Sequence, residues 1–72
     1  MRLEQLQYLK VTANCHSMRS ASEILHVSQQ NISKAICNLE EELNIQLFER
    51  TPSGVFLTAD GEKVYLLACE VC

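Results

Sequence analysis

Residues 17–43 read SMRSASEILHVSQQNISKAICNLEEEL, and the fold turns on how this stretch divides. Two amphipathic helical patterns, each opened by a serine, are separated by the short step His26-Val27. Ser17 suits an N-cap because its hydroxyl accepts from a backbone amide one turn on, and Met18, Ala21, Ile24 and Leu25 follow as a buried stripe. Ser28 caps the second helix, whose core face is Ile32, Ala35, Ile36, Leu39 and Leu43. Asn44 ends it, being tolerant of the left-handed backbone that closes helices. These are the proportions of a helix-turn-helix, in which one helix braces another that lies in the major groove of DNA.

Upstream, Leu3, Leu6, Leu9 and Ala13, with Tyr8 and Val11 beside them, recur at helical spacing and predict a helix from Leu3 to about Asn14. Downstream, Ile45 to Arg50 is β-prone, Thr51-Pro52-Ser53-Gly54 is dense in turn formers, and Val55-Phe56-Leu57 resumes the extended pattern. A short hairpin with a projecting tip is expected, with Phe56 on its second strand as a shield. Thr58 caps a last helix, and Asp60 in its first turn suits the positive end of the helix dipole. Along it Val64, Ala68 and Val71 form an apolar stripe flanked by Tyr65 and Leu67, while Leu66 and Cys69 project from the other side. A helix apolar nearly all round needs cover on two sides, and one small domain covers one. A second copy of the chain, meeting Val64, Tyr65, Leu67, Ala68 and Val71, is the simplest cover; the remainder of a longer protein is the other.

At 72 residues the chain is one small domain, too small for a deep catalytic cleft, so no enzyme is expected. With 47% hydrophobic residues, two glycines and one proline it has the composition of a compact, helix-leaning globule. No apolar run approaches the ~20 residues that span a bilayer, and the N-terminus lacks a signal-peptide layout. The cytosol is the expected compartment, with no membrane partner. Cys15, Cys37, Cys69 and Cys72 all fall within or at the ends of helical patterns, where reduced thiols act as small semi-apolar filler. Cys69-x-x-Cys72 has metal or redox spacing, but a structural zinc site needs a second ligand pair, so neither metal nor cofactor is expected.

A net charge of −3 counts against nucleic-acid binding, yet phosphate contact depends on where the cations sit. Arg19, Lys34 and Arg50 fall in the segments that would face DNA. Wound at 3.6 residues per turn, the helix after Ser28 turns Gln30, Ser33, Lys34 and Cys37 away from its apolar stripe. Glutamine bonds adenine bidentately, serine serves either pair, and lysine suits guanine or phosphate, so this face has base-reading chemistry. Glu40, Glu41 and Glu42 would repel phosphate, which confines close approach to the N-terminal half. Arg19 and Ser20 open the bracing helix, where a phosphate meets both the guanidinium and the helix N-terminus. Arg50, with Thr51 and Ser53, is expected to reach the adjacent minor groove or backbone.

Taken together, Leu3-x-x-Leu6 with Tyr8-Leu9, Ser17-Met18-Arg19-Ser20-Ala21-Ser22, Leu25-His26-Val27-Ser28-Gln29, Ile32-Ser33-Lys34, Leu39-Glu40-Glu41-Glu42-Leu43, Leu47-Phe48-Glu49-Arg50 and Leu57-Thr58-x-x-Gly61 resemble the N-terminal domain of LysR-type transcriptional regulators. The resemblance covers essentially the whole chain, and Val27-Ser28-Gln29 and Leu47-Phe48-Glu49-Arg50 are its most specific parts. It implies a mainly α fold, a winged helix-turn-helix with a three-helix core, a two-stranded wing and a C-terminal dimerisation and linker helix. Residues 1–58 would be the DNA-binding domain and residues 59–72 the start of the linker helix. The recognition helix would span about 28–43 and the wing about 50–55. Implied base or adjoining phosphate contacts are Ser28, Gln29, Gln30, Ser33 and Lys34; Arg19 and Ser20 would meet the backbone, and Arg50, Thr51 and Ser53 the wing groove. Implied partners are double-stranded promoter DNA and a second copy of the chain, with tetramers in full-length proteins. A small-molecule inducer would act only through an effector-binding domain that lies outside this chain. Gln30-Asn31 stands where the family often has proline and a small residue, and Lys34 where arginine is commoner. Each change removes rigidity or a planar fork.

Two other functions fit parts of the sequence. One is a winged-helix module for protein contact and dimerisation without DNA, served by the acidic balance and the apolar last helix. The other is a metal or redox sensor at Cys69 and Cys72.

Overall fold

A computed structural model describes residues 3–71, with the side chain of Val71 outside the described set. It contains α1 (Leu3–Cys15), α2 (Met18–Leu25), α3 (Gln29–Leu43), β1 (Phe48–Thr51), β2 (Gly54–Leu57) and α4 (Ala59–Val71). Four helices and a hairpin thus follow in the expected order, a winged helix-turn-helix.

Local chemistry sets most of the boundaries. The Ser17 hydroxyl accepts from the Ser20 amide at 3.2 Å and the Ser28 hydroxyl from the Asn31 amide at 3.1 Å, each satisfying a donor that its helix leaves open. The Thr58 hydroxyl does the same for the Gly61 amide at 3.0 Å. His26 and Asn44 close α2 and α3 in left-handed conformation, at φ 59° and 56°. After Asn44 the chain runs through Ile45–Leu47 as a connector, and the strand begins at Phe48 rather than Ile45. Leu47 bonds elsewhere: its amide donates to the Glu40 carboxylate at 2.7 Å, and its carbonyl accepts from the Thr58 amide at 2.9 Å. Glu40 is therefore a brace for the base of the wing, a role its place in an acidic run conceals.

The antiparallel hairpin pairs Phe48 with Leu57, Glu49 with Phe56, Arg50 with Val55 and Thr51 with Gly54, leaving Pro52 and Ser53 as the tip. The Thr51 hydroxyl accepts from the Ser53 amide at 3.2 Å and donates to the Gly54 carbonyl at 2.9 Å.

One core holds Leu6, Leu9 and Ala13 of α1, Met18 and Ala21 of α2, Ile32, Ile36 and Leu39 of α3, Leu47 and Phe48 at the wing base, and Val64 and Ala68 of α4, with Val55 and Leu57 of β2 packed against it. The expected stripes are narrower than drawn. Ile24 is 59% exposed and Leu3 53%, while Leu25, Ala35 and Leu43 are half-buried, so neighbouring elements cover only part of each apolar face. Tyr65 ties α4 to α1 through its hydroxyl, which donates to Asn14 Oδ1 at 2.7 Å. Burial, and then bonding with Cys69, push the Tyr65 phenol above its ordinary value.

Thr12 lies fully buried in α1 with its hydroxyl unpartnered. Burying an unpaired hydroxyl costs about 1–3 kcal/mol, whereas a methyl in its place has no such penalty. Thr12→Val is expected to raise stability by about 1 kcal/mol, seen as a rise of roughly 4–8 °C in thermal midpoint. A fall in the midpoint would show that the hydroxyl is satisfied in the folded protein.

Candidate nucleic-acid interface

The N-termini of α2 and α3 and the wing converge on one groove. It is lined by Ser17, Met18 and Arg19, by Gln29, and by Arg50 through Gly54. A second concavity continues from it along α3, between Gln29, Gln30, Ser33 and Arg50. Of the residues expected at the interface, the structure therefore gathers Arg19, Gln29, Gln30, Ser33, Arg50, Thr51 and Ser53 around one surface.

Their states differ. Gln29 and Gln30 are exposed in the first turn of α3, and Ser28, the cap, has its hydroxyl engaged by the Asn31 amide. Ser33 is half-buried and accepts from Arg50 Nη2 at 3.5 Å, while the same nitrogen lies 3.6 Å from Met18 Sδ. Arg50 lines the groove beside the wing tip, and its guanidinium reaches across to α3, joining wing and recognition helix. The hydroxyl of Thr51 is spent on building the tip, and Ser53 stands exposed beside it. Arg19 and Ser20 are exposed at the start of α2, where the Ser20 amide is taken by Ser17. Arg19 meets Glu23 at 3.7 Å, with side chains 84% and 71% exposed. Such a solvated pair is weak, so the guanidinium is available to a phosphate.

Lys34 takes another position. It is exposed on the outer face of α3 and lines the separate groove toward α1, with Tyr8, Asn31 and Asn38. The cations thus flank α3 on two sides: Arg19 and Arg50 toward the wing, Lys34 toward α1. Two residues not among the expected contacts also border these surfaces: Asn31, exposed beside Gln30 in the first turn of α3, and His16, which holds the wing. Asn31 carries a signal in its polar side chain one residue from Gln30; His16 carries none, since its role arises from contact with residues 39 positions away.

The dimer face is also redrawn. Val64 and Ala68 are 7% and 0% exposed inside this domain's own core, so neither is free for a second chain, while Tyr65 is half-buried against α1. Apolar periodicity shows that a stripe is buried but not by what. Leu66 and Leu67, 64% and 50% exposed, are the uncovered apolar residues of α4, and the Val71 side chain lies outside the described residues.

Cys15, Cys37 and Cys69 are free thiols, while Cys72 lies outside the described residues, and no cluster of metal-binding side chains occurs among the described residues. No described helix is long and apolar enough to cross a membrane.

A braced second helix, exposed amides at its N-terminus and a hairpin with an arginine at its base define a winged helix-turn-helix domain. The profile of "Bacterial regulatory helix-turn-helix protein, lysR family" matches residues 3–62, and the chain belongs to this family. The regulator YofA of Bacillus subtilis (strain 168) is 38% identical over 99% of this chain and 25% of its own length. The chain spans about a quarter of the length of the curated relatives it matches. Among solved structures, the CbnR DNA-binding domain in complex with DNA superposes with a TM-score of 0.94 at 35% identity, covering 99% of this chain and 82% of that one. The BenM DNA-binding domain on a catB site superposes equally well, TM-score 0.94 at 37% identity, over 99% of this chain and 80% of that one.

Proposed function

We propose that the chain is the sequence-specific, double-stranded DNA-binding module of a bacterial LysR-type transcriptional regulator. The observation that carries this reading is the gathering of Arg19, Gln29, Gln30, Ser33 and Arg50 around one surface at the N-terminus of α3. Support comes from family membership and from the likeness to two domains solved on DNA.

In this reading the first turns of α3 enter the major groove. Gln29, Gln30 and Lys34 reach base edges, and Ser33 and Arg50 form a bonded pair at the groove's edge. Arg19 and Ser20 meet the backbone at the start of α2, and Ser53 meets it from the wing tip. Ser28 and Thr51 serve by shaping the backbone around their hydroxyls. Residues 1–58 form the binding domain, and 59–72 begin a linker helix. Leu66 and Leu67 are the part of α4 left for a second copy of the chain, giving a dimer that presents two recognition helices. The protein works in the cytoplasm without catalysis, metal or cofactor in this domain, and a small-molecule inducer acts through a separate effector-binding domain.

Selection of bound duplexes from a random pool tests the reading. The expected result is a recovered motif with two-fold symmetry; a pool that stays random through repeated rounds would contradict sequence-specific binding. Arg19→Ala is expected to weaken all duplexes about equally, because a phosphate contact carries no sequence information. Titration of matched and mismatched duplexes checks this, and a loss confined to the matched one would make Arg19 a base reader.

A further inference from the structure

The wing is joined to the turn between α1 and α2 through His16. The Val55 amide donates to the His16 carbonyl at 2.9 Å, and His16 Nδ1 lies 3.3 Å from the Val55 carbonyl. A carbonyl only accepts, so Nδ1 carries the proton there. The imidazole also packs on Phe56, with ring centroids 4.8 Å apart and planes tilted by 32°. His16 adopts φ 54°, a left-handed conformation uncommon outside glycine and asparagine, and this turns both its carbonyl and its ring toward β2. Gly54 permits the approach, since a Cβ there would stand 2.5 Å from the His16 carbonyl oxygen.

We propose that His16 is a positioning residue for DNA: through Val55 and Phe56 it fixes the wing at a set distance from the N-terminus of α2. The proposal rests on the DNA-binding reading above. A two-stranded hairpin is marginal by itself, and a wing free to move would have to be ordered at each binding event, at a cost in affinity. His16 and Arg19 line the same groove as Thr51 and Ser53, so the residue that holds the wing also sets the width of the surface offered to the backbone.

The test compares the unaltered chain with His16→Gly, Phe56→Ala and the double variant on a selected duplex. Glycine is unstrained at positive φ, so His16→Gly removes the ring while leaving the turn able to form. Kd is expected to rise about 3–10-fold in each single variant, the range that loss of an aromatic pair allows. Hydroxyl-radical protection should vanish over the segment under the wing and persist over the segment under α3, with the variants still folded at the temperature of the binding assay. In the double variant the rise should not exceed that of either single one, because the two rings act as a unit. Unchanged Kd and full wing protection in His16→Gly, or additive losses in the double variant, would overturn the proposal while leaving DNA binding intact. Absence of any footprint with the unaltered chain would remove the DNA-binding reading and this proposal together.

Discussion

Gly61→Ala is expected to destabilise the domain by about 1–3 kcal/mol, although on a free helix the same change would stabilise by roughly 1 kcal/mol. Gly61 is buried in the first turn of α4, and its amide donates to the Thr58 hydroxyl. A Cβ at this position would collide with the backbone carbonyl oxygen of Leu47 and press on a Leu57 methyl at 3.1 Å. The Leu47 oxygen has no freedom to retreat, because it accepts from the Thr58 amide at 2.9 Å while the Leu47 amide is held by Glu40. Relief requires α4 to lift, which strains both the Thr58 amide bond and the bond from the Thr58 hydroxyl to the Gln46 carbonyl. A chain of 72 residues has about 4–11 kcal/mol of total stability, so the loss is a large share of it. Urea denaturation followed by circular dichroism checks this, and an alanine variant as stable as the parent would show that α4 is not packed this closely on Leu47.

Gln30→Ala and Lys34→Ala are each expected to cost roughly 1–3 kcal/mol on the preferred sequence, a factor of about 5–150 in Kd. Both residues are exposed on the outer face of α3, one turn apart, away from the core. The amide of Gln30 presents a donor and an acceptor together, the pattern adenine meets in the major groove. Lys34 presents a point charge and suits guanine acceptors. Each substitution should relax preference at one base position, so that the penalty for a mismatch there disappears while penalties elsewhere stay. Titration against the preferred duplex and a set of single mismatches decides it. If both variants weaken every duplex by the same factor, the two residues contact phosphate and the bases are read elsewhere.

The parts of this domain legible in sequence are those set by short-range chemistry. Ser17, Ser28 and Thr58 cap helices because each hydroxyl reaches an amide three residues on, and Asn44 ends α3 through its own backbone. The position of the candidate interface was legible too, since Gln29, Gln30 and Ser33 follow a capped start that any helical winding turns outward. What escaped depends on which element lies against which. Ile24 belongs to an apolar stripe by spacing, yet nothing packs over it. Val64 and Ala68 are buried as expected but by α1 and its neighbours, not by a second chain. The reach of the Arg50 guanidinium to Ser33 and Met18 depends on how close the wing lies to α3, which the strand pattern around it does not encode. His16 and Glu40 have structural tasks defined by Val55, Phe56 and Leu47, contacts that no local pattern encodes.

The salt dependence of binding to a selected duplex tests the central claim most directly. Arg19 is the cation assigned to the DNA backbone, and each phosphate neutralised steepens log K against log salt by about 0.9. A slope near −0.9 for each bound copy is expected, equivalent to roughly a 3–4-fold loss per copy between about 50 and 200 mM salt. Affinity that holds constant across that range would mean that no phosphate is engaged, and would contradict DNA binding through this surface.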